Sequence, residues 1–170
     1  MRTNELARLL NIHKDKIDLY VAEADGDCFY SCIKKYIVDI TTNDLRHLVA
    51  SSFKQDIYDT YKAICDFSED VSWIKRCKTL EQARELIQLP RIVWGDEFAL
   101  KTIIDTYDLT LFIINEGNRD SNISFDRIGY GNNHIILNRT RRSHYNLITL
   151  RNTNDEEIQQ IHNQFIQRNI

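Results

Sequence analysis

The stretch ADGDCFYSCIKKYIV, residues 24–38, decides the fold. It places a turn, residues 24–27, before a pattern that predicts a helix starting at or just after Cys28. A thiol in the first helical turn meets the partial positive charge of the helix N-terminus, which is expected to lower its pKa from about 8.5 and favour the nucleophilic thiolate. Taken alone, the stretch also fits a buried packing cysteine beside an incidental Asp-Gly turn.

The turn itself has the composition of a site that stabilises negative charge. Gly26 would let the backbone turn tightly. The amides of residues 25–28 would then point toward the space in front of the sulfur, where they could stabilise an oxyanion.

The second informative motif is SHYN, residues 143–146. In a strand, residues i and i+2 project from one face, so His144 and Asn146 are expected to point together while Tyr145 faces the other way. An amide oxygen beside the imidazole can accept from one ring N–H and leave the other nitrogen for a thiol. By itself the motif also fits a histidine at a strand end followed by a turn-forming asparagine.

The chain also contains other candidate bases and a candidate metal ligand. His134 is the main alternative base, and His13, His47 and His162 are weaker ones. Cys32 lies one helical turn after Cys28, but nothing at zinc spacing completes a ligand set. We therefore expect no metal and no cofactor.

Size and charge narrow the class of protein. The chain has 170 residues, 42% hydrophobic and 28% charged, so we predict a single globular domain over residues 1–170. The net charge of −3 argues against nucleic acid as a partner. The small basic cluster of Arg139, Arg141 and Arg142 is interpreted as a solvated turn, with contact to an acidic loop as the alternative.

Cysteine usage and the N-terminus predict a compartment. The four cysteines form no CxxC pair or regular framework, and the first residues contain no apolar run typical of a signal peptide. No window approaches the length of a membrane span. Reduced thiols in the cytoplasm and no membrane partner are the expectation.

The pattern of segments predicts an α+β fold, a small, mostly antiparallel sheet flanked by helices. Helices are predicted over residues 3–13 with Thr3 or Asn4 as cap, 28–38, 42 to about 64, 80–89 after the Thr79–Gln82 capping box, 96–108 with Asp96 as cap, and after a Thr153–Glu156 box. Strands are predicted over residues 109–115, 134–138 and 144–150, and residues 16–23 are predicted to form a strand or an extended lead-in.

Together the two motifs resemble a known family. D-G-x-C followed by an aromatic residue, with a C-terminal His-aromatic-Asn/Asp, is similar to the ovarian-tumour (OTU) family of papain-like cysteine proteases, which are deubiquitinases. The resemblance runs from about residue 24 to residue 150. The segment WGDEFALKTIIDTYDLTLFII, residues 94–114, also resembles the Trp-Gly helix-to-strand segment of that family.

The resemblance implies a role for each motif residue. Cys28 would be the nucleophile and His144 the general base that later acts as acid. Asn146, where many members have Asp, would orient the imidazole. Asp25 would lie in the loop that shapes the oxyanion hole, formed by the backbone of residues 25–28.

Two further positions are informative. Asp27 stands where Asn is frequent in the family, and a second carboxylate near Cys28 is expected to oppose formation of the thiolate. Trp94 is interpreted either as a core residue before a helix cap or as a residue beside the substrate tail.

The resemblance also implies a substrate class. It predicts hydrolysis of isopeptide or peptide bonds after the C-terminal Gly of ubiquitin or a ubiquitin-like protein, by a monomer. The alternatives are a non-catalytic ubiquitin-binding module and a protease of this fold that acts on another protein. The many Ile and Asn residues would suit an AT-rich viral or bacterial genome, in which case the enzyme would be an effector in the host cytosol.

Overall fold

The computed structural model describes residues 1–117, 123–140 and 143–167. Most of the helices precede the strands that they cover. The α-helices are α1 (Thr3–Leu10), α2 (Cys28–Tyr36), α3 (Thr42–Ser52), α4 (Gln55–Ile64), α5 (Leu80–Gln88), α6 (Glu97–Tyr107) and α7 (Asp155–Gln167), with short 3-10 helices at Lys14–Lys16 and Glu69–Arg76.

The strands form one mixed sheet. They are β1 (Ile17–Tyr20), β2 (Leu109–Glu116), β3 (Ile123–Ile128), β4 (Asn133–Thr140) and β5 (His144–Leu150), in the order β1-β5-β4-β2-β3. The β2–β4 pairing is parallel and the other pairings are antiparallel. The predicted α+β fold with a mostly antiparallel sheet is confirmed.

The two faces of the sheet carry separate cores because side chains alternate along each strand. On β2, Leu111 and Ile113 belong to the core that contains Cys28 and the helices α2, α3 and α6. Phe112 and Ile114 belong to a second core, which α1 and α7 cover. The sheet thus separates the face that supports the cysteine from the face that docks the terminal helices.

Helix boundaries differ from the predicted ones where local signals competed. The first helix begins at Thr3 after Arg2, whose backbone N–H donates to Glu5 (2.7 Å), so neither Thr3 nor Asn4 is the cap. The predicted helix from residue 42 to 64 is two helices, with extended backbone at Phe53 and Lys54 between them. The second predicted helix ends at Tyr36 rather than at residue 38.

The N-caps of three further helices were predicted from the positions of polar residues. Thr79 accepts from the Gln82 amide (3.2 Å) and Asp96 accepts from the Ala99 amide (2.9 Å), so both residues are caps as predicted. The predicted Thr79–Gln82 box is only half formed, because the Gln82 side chain accepts from the Lys78 amide (2.7 Å). The final helix is capped one residue later than predicted. Asn154 accepts from the Glu157 amide (2.9 Å) and its own amide donates to the Glu157 carboxylate (3.1 Å), so the Thr153–Glu156 box does not form.

Strand β3 was not predicted. Within Ile123–Ile128, Phe125 is the residue that is buried, and the remaining side chains are partly or fully exposed at a sheet edge. A strand with so little apolar alternation gives a weak signal. Arg141 and Arg142 of the basic cluster lie outside the described residues. None of the described helices is long and apolar enough to cross a bilayer.

The interface of α7 contains a histidine that should make stability depend on pH. His162 stacks on Phe112 (centroids 4.5 Å apart) and lies 4.5 Å from the His134 ring. Burial, then His134 and Arg127, lower the pKa of His162 from 6.5 to about 4. Between these two pH values His162 binds a proton in the unfolded chain but not in the folded chain. The free energy of unfolding should therefore fall as the pH drops from 6.5 to about 4.

Urea unfolding at stepped pH values tests this expectation. His162→Phe keeps an aromatic ring on Phe112 but cannot titrate, so its unfolding free energy should fall less over that pH window. His47→Gln, which changes an exposed histidine on α3, is the control and should keep the wild-type slope. Equal slopes in all three proteins would contradict the expectation.

Candidate active site

Cys28 is the first residue of α2, as the sequence predicted, and its side chain is 4% exposed. The thiol donates to the Ser143 carbonyl oxygen (S···O 3.6 Å). The Tyr145 backbone amide also bonds to the sulfur. The residues on both sides of His144 therefore contact Cys28, so the fold brings the start of α2 against the start of β5; Cys28 and Ser143 are 115 residues apart in sequence.

The neighbouring side chains of α2 hold the helix against β5. Phe29 packs against the Tyr145 ring, with centroids 5.5 Å apart. Cys32, one turn after Cys28, donates to the Tyr145 carbonyl (3.5 Å) and is fully buried. These contacts fix the start of the helix relative to the start of β5.

The geometry around Asn146 determines the tautomer of His144. Asn146 Oδ1 accepts from the Ala22 backbone N–H (3.2 Å), which can only donate. The same oxygen lies 3.1 Å from His144 Nε2. Since the oxygen cannot donate, Nε2 carries the proton and Nδ1 holds the lone pair.

His144 Nδ1 is the nitrogen left for proton transfer. It is buried and has no hydrogen-bond partner within the described part of the chain. An imidazole with a fixed Nε2–H and an open Nδ1 beside a cysteine can accept the thiol proton. Asn146 thus does what the motif predicted, although it is neutral.

The pKa of Cys28 contradicts the expectation from the helix N-terminus. Burial raises the pKa of the thiol above its ordinary value, and the Asp25 carboxylate also raises it. Hydrogen bonds from the amides of Tyr145, Phe29 and Cys28 lower it in part. Desolvation by burial is the largest of these effects, so the structure favours the protonated thiol over the thiolate more than an exposed cysteine would.

Asp25 and Gly26 form a tight turn before the cysteine. Gly26 has φ +91°, and a Cβ there would lie 2.9 Å from Trp94 Nε1 and 3.0 Å from the Arg91 carbonyl oxygen, so only glycine fits. The Asp27 amide donates to Asp25 Oδ1 (3.0 Å). It is therefore occupied, which leaves the other amides of residues 25–28 as candidate donors to an oxyanion.

Asp27 does not act on the thiol as expected. Its carboxylate accepts from Nε of Arg46 (2.9 Å) and from Nη2 of the same guanidinium, and the Arg91 amide also donates to it (3.2 Å). Arg46 is fully buried. The negative charge of Asp27 is neutralised by Arg46, so Asp25 is the carboxylate that raises the thiol pKa.

Sequence reasoning missed Arg46 and Arg91. Among 22 Lys and Arg residues nothing local marks either one. The departure from Asn to Asp at position 27 was the available signal, since a buried carboxylate needs a cationic partner. This signal does not identify which Lys or Arg residue supplies the positive charge.

A cleft of about 1,020 Å³ reaches the residues on both sides of His144. Ser143 and Tyr145 line it, as do Trp94, Gly95 and Asp96. Neither Cys28 nor His144 lines the cleft. Trp94 is 47% exposed, so its interpretation as a core residue is wrong.

The other histidines lie elsewhere. His134 packs against Phe112, on the sheet face opposite the core that contains Cys28, together with His162. His13 accepts from the Asp15 amide at an exposed turn. His134 is therefore wrong as the alternative base.

No protein-family model and no curated protein sequence matches the chain. Solved structures match in fold. An OTU domain in complex with ubiquitin has a TM-score of 0.59 at 16% identity, covering 89% of this chain and 83% of that one. An OTU deubiquitinase from Wolbachia pipientis wMel bound to ubiquitin gives 0.59 at 15%, covering 82% and 99%. The OTUD1 OTU domain gives 0.57 at 14%, covering 85% and 92%. The chain therefore has the fold of OTU domains.

Proposed function

We propose that the chain is a cysteine protease that hydrolyses isopeptide or peptide bonds after the C-terminal Gly of ubiquitin or a ubiquitin-like protein. The observation that carries the proposal is the state of His144, whose Nε2–H is fixed by Asn146 and whose buried Nδ1 is open, while the residues on both sides of it contact Cys28. The fold supports the substrate class, since two of the similar OTU domains are bound to ubiquitin.

In the proposed mechanism, His144 activates the thiol. Nδ1 takes the proton from Cys28, and the thiolate attacks the carbonyl carbon of the terminal Gly. Because burial raises the pKa of the thiol, the reaction depends on a base such as His144 to take the proton. Asn146 keeps the resulting imidazolium oriented through Nε2–H.

The rest of the cycle uses the same residues. The oxyanion would accept from backbone amides of the turn before Cys28, at about 3 kcal/mol for each donor. The imidazolium then gives its proton to the departing amine, which leaves an acyl-enzyme. Water attacks the acyl-enzyme while His144 acts as base again, and the thiol is regenerated.

The cleft is the proposed path for the modifier's C-terminal tail. It reaches Ser143 and Tyr145 on both sides of His144, and Trp94 lines it with a half-exposed ring. An aromatic face next to the glycine turn would hold a slender, extended tail in place. Since Cys28 is 4% exposed, the tail reaches the sulfur after a small opening of its surroundings.

A ubiquitin probe with a C-terminal electrophile tests the proposal. The wild-type protein should form a covalent adduct on the Cys28 peptide, detected by gel shift and mass spectrometry, and Cys28→Ala should form none. No adduct in the wild type would contradict a ubiquitin-directed enzyme. An adduct with the same probe built on another ubiquitin-like protein would then indicate a related modifier, and no adduct would indicate a different substrate. Equilibrium binding of ubiquitin without any adduct would indicate a non-catalytic binding module.

A monomer acting in the cytoplasm, or in a host cytosol, completes the proposal. The compartment follows from the reduced cysteines expected from the sequence. Gel filtration of the purified chain tests the monomer by measuring the oligomeric state.

A further inference from the structure

We infer that Arg46 is a positioning residue for the reaction of Cys28, because it ties the turn before the nucleophile to the segment of residues 87–94. The inference rests on the proposed function in one respect, that Cys28 is the nucleophile. Arg46 itself lies on α3, outside both sequence motifs.

All three nitrogens of the Arg46 guanidinium donate hydrogen bonds. Nε and Nη2 donate to Asp27 Oδ1, and Nη1 donates to the carbonyls of Ile87 (2.8 Å) and Val93 (3.0 Å). The guanidinium also lies over the Tyr30 ring, 4.5 Å from its centroid. A planar fork with five N–H groups can bridge several acceptors in fixed directions, which a lysine ammonium does not do.

A second set of contacts joins the same two segments. The Arg91 amide donates to Asp27 (3.2 Å), and Arg91 Nε pairs with Asp25 (3.2 Å). Gly26 packs against Trp94 and the Arg91 carbonyl. Arg46 is therefore the buried centre of one unit that contains the turn before Cys28 and the segment that carries Trp94.

The energetics of a buried ion pair indicate that the Arg46–Asp27 pair positions the turn before Cys28 rather than adding much to the stability of the fold. Taking an ion pair out of water costs about as much as the pairing returns, so a buried pair is weak support for stability. Removing one partner leaves the other charge buried and uncompensated. What the Arg46–Asp27 pair does provide is a single geometry for the residue that precedes Cys28.

That geometry bears directly on the nucleophile. Asp27 precedes Cys28 in the chain, and its carbonyl accepts from the Ser31 amide (2.8 Å), so it fixes the first turn of α2. A misplacement of about 1 Å at a reacting atom costs about 100-fold in rate. Loss of Arg46 should therefore slow the chemical step more than it weakens substrate binding.

Steady-state cleavage of ubiquitin with a fluorogenic group at its C-terminus measures this effect. Arg46→Met should lower kcat by about 100-fold with KM within about threefold. Asp27→Asn should lower kcat by about tenfold, since the acceptor remains but the charge is lost. The double variant should be no slower than Arg46→Met, because both changes break the same pair. Losses that multiply, or an unchanged kcat in Arg46→Met, would overturn the inference.

Arg46→Lys keeps the test decisive where Arg46→Met does not fold. It preserves the positive charge but not the fork, and should lower kcat about tenfold at wild-type KM. Full activity of this variant would show that charge alone suffices and would overturn the positioning role. Urea unfolding of each variant confirms that the assay measures folded protein.

Hydrogen exchange gives a readout that needs no substrate. Arg46→Met should speed amide exchange about tenfold or more in both residues 22–31 and residues 87–95. The matched control is Arg84→Met, which removes another arginine that donates to a backbone carbonyl, that of Phe53 (2.9 Å). It should leave both segments unchanged.

The two proposals can fail separately. If the wild type cleaves no ubiquitin-type substrate, the proposed function fails. The role of Arg46 is then decided by hydrogen exchange and by the rate at which iodoacetamide alkylates Cys28. Joint changes of both segments and of the alkylation rate in Arg46→Met would support it. Unchanged exchange and alkylation would overturn it.

Discussion

Cys28→Ala is expected to lower the rate of ubiquitin cleavage at least about a thousandfold while the domain stays folded. The loss follows because no other group can form the acyl-enzyme at the start of α2. The sulfur is buried against the backbone of β5, so its removal should cost about 1 kcal/mol of unfolding free energy. Cleavage of a fluorogenic ubiquitin substrate and urea unfolding measure the two effects.

The neighbouring cysteine provides the matched control. Cys32 is fully buried one turn further along the same helix, and its thiol donates to Tyr145. Cys32→Ala should cost about as much stability as Cys28→Ala but leave most of the activity. Wild-type activity in Cys28→Ala, or equal losses of activity in both variants, would contradict the assignment of the nucleophile.

The identity of the candidate residues could be predicted because the decisive signals are local. A turn with Gly26 immediately before a helix start places Cys28 at that start in any fold that forms the helix. The spacing of His144 and Asn146 places them on one face of any strand that contains both. That the two motifs act together was implied by the resemblance rather than by spacing, and the contacts of Cys28 with Ser143 and Tyr145 are visible only in the folded chain.

The direction in which the pKa of the Cys28 thiol shifts could not be predicted in the same way. The helix N-terminus is visible in the sequence, and it favours the thiolate. Burial of Cys28 is visible only in the folded chain, where it is the largest effect and raises the pKa. Likewise, the charge of Asp27 looked unfavourable until Arg46, nineteen residues later, supplied its partner.

Much of the fold followed from periodicity, and the exceptions have physical causes. Strand β5 was predicted with its observed bounds because His144–Leu150 is rich in β-branched and aromatic residues. Strand β3 was missed because an edge strand buries little, and the final cap shifted because Asn154 and Asp155 also favour a helix start. The parallel β2–β4 pairing depends on chain path, which local patterns do not encode.

The second large expected effect is a loss of kcat in variants of His144 and Asn146, larger for His144 than for Asn146. His144→Ala removes the base and is expected to lower kcat by at least about a thousandfold. Asn146→Ala leaves the imidazole but releases Nε2, so kcat should fall by about 10-fold to 100-fold. It should also destabilise the fold by about 1–3 kcal/mol, because the buried Ala22 amide loses its acceptor.

Asn146→Asp separates orientation from charge. It keeps an oxygen that can accept from both Ala22 and His144, so it should retain most of the activity. His134→Ala is the control histidine, since His134 lies on the other face of the sheet, and it should cleave at the wild-type rate. Asn146→Asp as slow as Asn146→Ala would show that a hydrogen bond to Nε2 is not what Asn146 contributes. Activity of His144→Ala equal to wild type would remove His144 as the base and, with it, the mechanism in which Nδ1 accepts the Cys28 proton.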